Sequence, residues 1–320
     1  MYGAMNFREA QQEYLRFGKA LLSGDSNFPE IPPAVASDVF DTFIEESIAA
    51  KIFRFITMGS DIVKFYVKGA ALNVYAPTEA SPVPETKLTF EPPVVLEARE
   101  VRAVSRISDV AEEESVVDLV AMTVEDMARS IADAVDKNVF RGIGDGSDVY
   151  NLFTGLQRSH TITGSQTQTL DIGKAPLTVE HINKAVAALE ELGYRDDLVM
   201  IIHPKTALHL RNDLASKGLE TISGDILRTG EVNAIFGLKK VYVTTHLEKR
   251  SYSGSDGTKV SDVIICSSRD AGVGGYRRTL RIERDRDVEA GLTKVAASIR
   301  FAWRITKTDA IFLIQNALAE

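Results

Sequence analysis

The sequence predicts an α+β protein in which one long amphipathic helix is covered by long β-strands. Ser115 to Gly142 repeats apolar residues every three or four positions, the spacing of one helix face. Val295 to Thr306 alternates apolar and polar residues, which predicts a strand well above the usual five or six residues. Such a strand can run beside the helix and cover its apolar stripe, so the two segments predict one layered unit.

The ends of the long helix are signalled by the flanking residues. Ser115 is the expected N-cap with Asp118 three residues later, and Glu112 to Glu114 bring negative charge to the positive end of the helix dipole. Arg141 and Gly142 supply a basic last turn and a residue able to adopt positive φ. The helix is therefore predicted to end at Gly142.

A ribbon is predicted before the helix. Asp61 to Lys68 alternates like a half-buried strand, whereas the return run Val94 to Ile107 carries charges on both faces, so no single core is expected to receive it. Five of the ten prolines lie between residues 76 and 93. Because a lone two-stranded ribbon is marginal in water, we predict that Asp61 to Ser108 projects from the body and finds its partners on another chain.

Helices and strands alternate elsewhere. Amphipathic helices are predicted over residues 1–24 and Ser37–Lys51, and the proline-containing segment between them predicts an extended arm. The remaining predictions are a helix over Leu177–Gly193 capped by Thr178, a helix from Pro204 to about Asp213, and strands over Leu198–Ile202, Lys239–Thr245, Lys259–Cys266, Tyr276–Glu283 and Ala310–Ile314.

Composition limits the function classes. The 320 residues carry a formal charge of −8 and no long basic block, which disfavours tight nucleic-acid binding. No apolar run reaches the length of a membrane span and no secretory signal is recognisable, so a soluble, cytoplasmic protein is expected. Cys266 lies within an apolar strand and is expected to be a buried small hydrophobe.

Candidate catalytic patterns have simpler interpretations. The glycine-rich Gly142 to Gly146 follows a helix, whereas a dinucleotide-binding loop follows a strand. The five histidines form no metal-ligand pair, and Asp145, Ser147 and Asp148 match only part of a calcium loop. We therefore predict no enzyme activity, no metal and no cofactor.

The run RIERDRD, Arg281 to Asp287, alternates in charge residue by residue. It can be an exposed strand edge with weak pairs, or an ion-pair seam between subunits. Both interpretations stay open from the sequence.

The order of these elements and three local motifs resemble one family. The motifs are DKNVFRGIGDG at Asp136 to Gly146 with FTGL at Phe153 to Leu156, MIIHPKTALHLR at Met200 to Arg211, and FAWRITKTDAIFLI at Phe301 to Ile314. Together they resemble the major capsid proteins of tailed bacteriophages and archaeal tailed viruses, which have the Hong Kong 97-type fold. The resemblance covers nearly the whole chain.

The resemblance implies a fold with an N-terminal arm, an extended β-ribbon loop, a peripheral domain with a long spine helix, and an α/β axial domain. The implied boundaries are 1–30 for the N-terminal helix and arm, 31–60, 109–156 and 281–305 for the peripheral domain, 61–108 for the extended loop, and 157–280 with 306–320 for the axial domain. Pentamers and hexamers of such a chain would form an icosahedral virion capsid around double-stranded DNA, assembled in the host cytoplasm.

The ribbon and the charged run supply the predicted contacts between subunits. These are Lys87, Arg99, Arg102, Arg106, Arg281, Glu283, Arg284 and Asp285. The other implied partners are a separate scaffolding protein, because only a short helix precedes the arm, a portal protein, decoration proteins, and packaged DNA contacted weakly and without sequence specificity. No membrane partner is expected.

Two other function classes remain open. An encapsulin, a cellular shell with the same fold, would enclose enzymes instead of a genome, and the helix over 1–24 could line its cargo pocket. An α/β enzyme built on residues 157–280 would need a convergent polar site, and none is visible in the sequence.

We predict a mature shell without isopeptide cross-links. Relatives that cross-link join a loop lysine to an asparagine near the last long strand; Lys87 lies in the loop, but Asp287 and Val288 occupy the matching stretch. Boiled particles on a denaturing gel should give one band near the chain mass of 35.1 kDa. A ladder of covalent multimers would show that the interpretation of residues 285–295 is wrong.

Overall fold

A computed structural model describes residues 47–66, 93–115, 118–195, 197–217, 237–252 and 257–320. The predicted helix over 1–24, residues 37–46 of the second helix, and Lys87 lie outside the described residues. None of the described helices combines the length and the apolar character that crossing a membrane requires.

The helices and strands predicted within the described residues appear in the predicted order, and the elements over 54–57, 109–114, 156–161, 168–171 and 249–251 were not predicted. The helices are α1 Ile48–Ile52, α2 Asp109–Glu114, α3 Leu119–Arg141, the 3₁₀ helix Leu156–Thr161, α4 Val179–Glu191 and α5 Pro204–Ser216. The strands are β1 Arg54–Thr57, β2 Ile62–Phe65, β3 Val94–Glu97, β4 Arg99–Ser108, β5 Gln168–Asp171, β6 Leu198–Ile202, β7 Lys240–Val243, β8 Lys249–Ser251, β9 Lys259–Ser267, β10 Gly272–Asp287, β11 Leu292–Ile305 and β12 Ile311–Leu318.

The long helix α3 packs on a four-stranded sheet with the order β1-β10-β11-β4. Its buried stripe includes Val124, Met127, Ile131, Val135 and Val139, as the apolar spacing predicts. The facing residues of β11 are buried too: Val295, Ala297, Ile299, Phe301, Trp303 and Ile305. The prediction that this strand covers the helix is confirmed.

Both ends of α3 differ from the sequence prediction. The N-cap is Asp118, whose carboxylate accepts from the Val120 and Ala121 amides, because Glu112 to Glu114 belong to the separate helix α2. Gly142 has φ −51° rather than a positive value. Glycine fits there because a Cβ would lie 2.7 Å from the carbonyl oxygen of Asn138 and closer still to that of Phe153.

The return strand β4 is part of the body, which differs from the expectation that no single core receives it. β4 pairs antiparallel with β11, and Val101 and Ile107 are buried. Along the strand Glu100, Arg102 and Arg106 point away from the core. From Glu100 onward the charges therefore lie on one face, because Val101, Ala103, Ser105 and Ile107 occupy the alternate positions.

The second sheet has the order β5-β12-β9-β6-β7, with β8 on β9, and carries α4 and α5. The bounds of β6 are those predicted. Thr178 and His181 form a capping box at the start of α4, and Gly193 beyond its end has φ +91°.

One apolar core joins the two sheets. It contains the buried stripe of α3 and the inner residues of β4 and β11, and it continues through Leu156 to Ile201, Ile264 and Leu313 of the second sheet. The sheets are thus tied together through the 3₁₀ helix that follows α3.

A buried carboxylate fixes α1 against α3. Asp136 is 1% exposed, and it accepts hydrogen bonds from Ser47 Oγ at 2.6 Å, the Ile48 amide at 2.8 Å and the Ala49 amide at 3.0 Å. Burial raises the pKa of Asp136, although the three donors and His246 act in the opposite direction. Asp136 thus satisfies the free amides at the start of α1 from a different helix.

We predict that Asp136→Ala destabilises the subunit by at least about 2 kcal/mol, because each buried donor left unpaired costs about 1–3 kcal/mol. Denaturant unfolding of the subunit measures this change. Asp133→Ala, one turn earlier at a side chain 53% exposed, is the matched control and should cost less than about 1 kcal/mol. Equal losses in both variants would contradict the role given to Asp136.

Candidate subunit interface

One face of the β10-β11-β4 sheet is covered by the helices, and the other is charged. Residues directly opposite one another in an antiparallel sheet share a face. We define the outer face by four rows across β10, β11 and β4: Arg278, Arg300 and Glu100; Arg281, Ser298 and Arg102; Glu283, Ala296 and Val104; Asp285, Lys294 and Arg106.

The structure brings five of the eight predicted contact residues together on the outer face. These are Arg102, Arg106, Arg281, Glu283 and Asp285. Arg99 and Arg284 belong to the opposite face, because they lie opposite the buried Phe301 and Val295. Lys87 lies outside the described residues. The positions fit a shared surface for five residues, and their contacts with another subunit stay a prediction.

The charge alternation of RIERDRD divides the run between the two faces. Arg284 and Arg286 point toward α2, at 3.4 Å from Glu112 and 3.0 Å from Asp109. Arg281 and Glu283 pair with each other at 3.1 Å on the outer face. Four of the charged residues in this run, Arg281, Glu283, Arg284 and Arg286, thus form ion pairs within the subunit.

Two carboxylates, Glu100 on the outer face and Asp287 at the end of β10, are held in their charged form by neighbouring cations. Burial alone would raise the pKa of Glu100, but hydrogen bonds and charges from Arg102 and Arg278 bring that pKa below its ordinary value. The hydrogen bond from Lys294, with Nζ 2.8 Å from Asp287 Oδ2, lowers the pKa of Asp287. Both carboxylates therefore stay ionised at neutral pH.

Val104 is an apolar residue among the charged residues of the outer face. This side chain is exposed, and it lies opposite Ala296 between the Arg102 and Arg106 rows. Val104 and Ala296 therefore form a small apolar spot between charged residues, and the third member of their row is Glu283.

The base of the ribbon lies at one end of the outer face. β2 and β3 form a two-stranded antiparallel sheet, and Leu96 packs with Met58 and Ala302 in a small core of its own. Gly275 makes room for this contact, because a Cβ there would lie 2.6 Å from Met58 Sδ. Sequence reasoning missed this core; the small residues Gly275 and Ala302, each next to an aromatic residue, are the sequence signal that could have found it.

Two of the histidines, and Asp145 of the partial calcium pattern, have local structural roles. His181 belongs to the cap of α4, and His203 caps α5 by accepting from the Lys205 amide at 3.2 Å. Asp145 Oδ1 accepts from the amide and hydroxyl of Ser147, as in a tight turn. Across the described ranges, no cluster of three or more His, Cys, Asp or Glu side chains could hold a metal ion.

Cys266 is fully buried in β9. Burial raises the pKa of its thiol to about 12. It therefore stays a neutral thiol, which agrees with the sequence interpretation of a small core residue.

Comparison with known proteins places the chain among capsid proteins. A family model described as the phage capsid family matches residues 30–316. The capsid of cyanophage P-SCSP1u is 14% identical, with a TM-score of 0.63, over 93% of this chain and 92% of that chain. The capsid of an empty GTA particle is 16% identical, with a TM-score of 0.63, over 85% of this chain and 90% of that chain.

The capsid of Ralstonia phage GP4 is similar to the same degree: 13% identity and a TM-score of 0.63, over 84% of this chain and 88% of that chain. A comparison with curated protein sequences gave no match. At these identities the solved structures show a shared fold.

We predict that truncating outward-facing and inward-facing side chains of β4 has very different effects on subunit stability. The double variant Arg102→Ala with Arg106→Ala should change the free energy of unfolding by less than about 1 kcal/mol, because both side chains are exposed. Val101→Ala should cost about 1.5–3 kcal/mol through lost burial and a cavity. Denaturant unfolding distinguishes the two. A double variant as unstable as Val101→Ala would show that the two arginines do not face outward.

Proposed function

The chain belongs to the phage capsid family and is a structural protein of a capsid shell; we propose that its copies close as pentamers and hexamers into an icosahedral shell around double-stranded DNA. Its α+β fold is the Hong Kong 97-type capsid fold that the sequence predicts. The encapsulin alternative is not favoured, since the similar solved capsids named above are those of phages and a GTA particle.

The ribbon is the observation that carries the proposal for how copies join. Its described part is only two strands wide. One face packs on the body through Leu96, while Ile62, Tyr66 and Val95 are 55%, 68% and 39% exposed. Apolar side chains on a narrow ribbon favour a partner surface, and a second copy supplies one at every repeat of the interface.

The outer face is the proposed contact surface of the peripheral domain. Arg102, Arg106, Arg281, Glu283 and Asp285 contribute both signs of charge, which favours recognition of one register over another. Lys87, Arg99 and Arg284 complete the proposed set of intersubunit residues. Arg99 and Arg284 would act from the other face or the strand edge.

The domain division is likewise a proposal. The axial domain, 157–280 with 306–320, would surround the centres of pentamers and hexamers, and the peripheral domain and extended loop would join neighbours. The continuous core between the sheets supports rigid movement of the two parts together. β4 pairs with β11, so the free part of the ribbon is closer to 61–98 than to 61–108.

Partners beyond the chain itself follow from this role. A separate scaffolding protein, a portal protein and decoration proteins are proposed, with assembly in the host cytoplasm. The formal charge of −8 supports only weak contact with packaged DNA, without sequence specificity. Membership of a structural family supports a protein that is not an enzyme.

We predict that the purified full chain, alone or with its scaffold, assembles into closed particles of megadalton size. Many weak contacts repeated in a closed shell give a stable assembly. Light scattering measures the size and electron microscopy shows closure. A chain that stays monomeric under all conditions, including with its scaffold, would overturn the proposed function.

A ribbon-shortened chain is the matched control. Replacing residues 70–92 by a short Gly-Ser turn keeps β2, β3 and their contact with the body, and loop length affects closure entropy only slowly. This variant should melt cooperatively near the parent temperature and form no closed particles. Normal shells from it would contradict the role of the ribbon between subunits.

A further inference from the structure

The ribbon base meets the body at two chemically different contacts. One is the small core of Met58, Leu96 and Ala302. The other is Asp61, at the start of the ribbon, which faces two arginines of the sheet. The two contacts contribute different properties to the attachment.

The apolar contact attaches the ribbon base to the body by burial. Met58, Leu96 and Ala302 are nearly or fully buried, and Val63 and Phe65 of β2 pack against them. Hydrophobic burial is non-directional. A methionine side chain with three rotatable bonds can also repack when the ribbon tilts.

Asp61, the residue before β2, makes directional contacts with the end of β3 and with two long strands of the body. Its Oδ1 lies 3.3 Å from Arg277 Nε on β10 and 3.2 Å from Arg300 Nη2 on β11. Its backbone carbonyl accepts from the Ala98 amide at 2.9 Å, at the end of β3. One residue therefore connects the two ribbon strands with the two long strands of the sheet.

The local charges favour a carboxylate at this position. Arg278 and Arg300 share a row of the outer face with Glu100, and Glu100 already pairs with Arg278 at 3.3 Å and with Arg102 at 2.9 Å. Among the residues described here, Asp61 is the carboxylate that pairs with Arg277 and Arg300. Without it, two like charges would lie under the ribbon base.

We propose that Asp61 is a positioning residue that holds the ribbon base on the outer face and so presents the ribbon to a neighbouring copy in one orientation. The contact between Asp61 and the two arginines exists within one subunit and does not depend on assembly. Only its expected effect on shell formation rests on the proposed function.

Hydrogen exchange of the dissociated full-length subunit tests the contact. In Asp61→Asn, amides of Val94 to Glu97 should exchange about two- to five-fold faster, the effect expected for an exposed ion pair. Amides of Val295 to Ile305 should keep the parent rate. Glu125→Gln is the matched control: it removes an ion pair at a side chain 54% exposed, close to the 58% of Asp61, and should leave the ribbon amides unchanged.

Two further measurements separate charge from packing. Raising the salt concentration should speed exchange at Val94 to Glu97 in the parent and leave Asp61→Asn nearly unaffected, because salt screens exposed charges. Asp61→Glu keeps the charge and should stay within about two-fold of the parent rate. Exchange in Asp61→Asn equal to the parent, or equally fast exchange in Asp61→Glu and Asp61→Asn, would overturn the proposal.

Assembly provides the last measurement. If the parent chain forms shells, Asp61→Asn should form them several-fold more slowly or close them incompletely, while Glu125→Gln matches the parent. Parent-like shell formation by Asp61→Asn would overturn the positioning role. A parent chain that forms no shells would instead refute the proposed function. The hydrogen-exchange results would still show whether Asp61 holds the ribbon base on the sheet.

Discussion

The structure depends on covering the apolar stripe of the long helix Leu119–Arg141. This stripe is too long for a single short strand, and β11 and β4 run beside it for most of its length. At its C-terminal end the stripe reaches Leu156 and the second sheet, so one core holds both parts of the molecule. Loss of this packing would expose the core that the two sheets share.

Covering one face of the sheet leaves the other face to solvent or to another copy. An antiparallel sheet can have one packed face and one polar face because successive side chains alternate. In β4 and β10 the outward positions carry Arg102, Arg106, Arg281, Glu283 and Asp285. The helix thus determines indirectly where the proposed contacts between subunits lie.

A buried carboxylate and an exposed carboxylate have different roles in this subunit. Asp136 is buried, accepts three hydrogen bonds and fixes the short helix Ile48–Ile52. Asp61 is exposed and pairs with arginines of two strands at the ribbon base. The first is expected to affect subunit stability, because its partners cannot turn to water, whereas the second affects only the position of a peripheral element.

The long helix, the strand Leu198–Ile202 and the capped helix after Thr178 were predictable from the sequence, because periodicity and capping are local signals. The fold family was indicated by the resemblance in element order and motifs. The tertiary structure was needed to show that Arg99 and Arg284 lie apart from the other predicted contacts, and that Asp61 and Asp136 anchor distant segments. It also placed Arg99–Ser108 in the body. These outcomes depend on strand register and on partners up to 216 residues away, which no local pattern encodes.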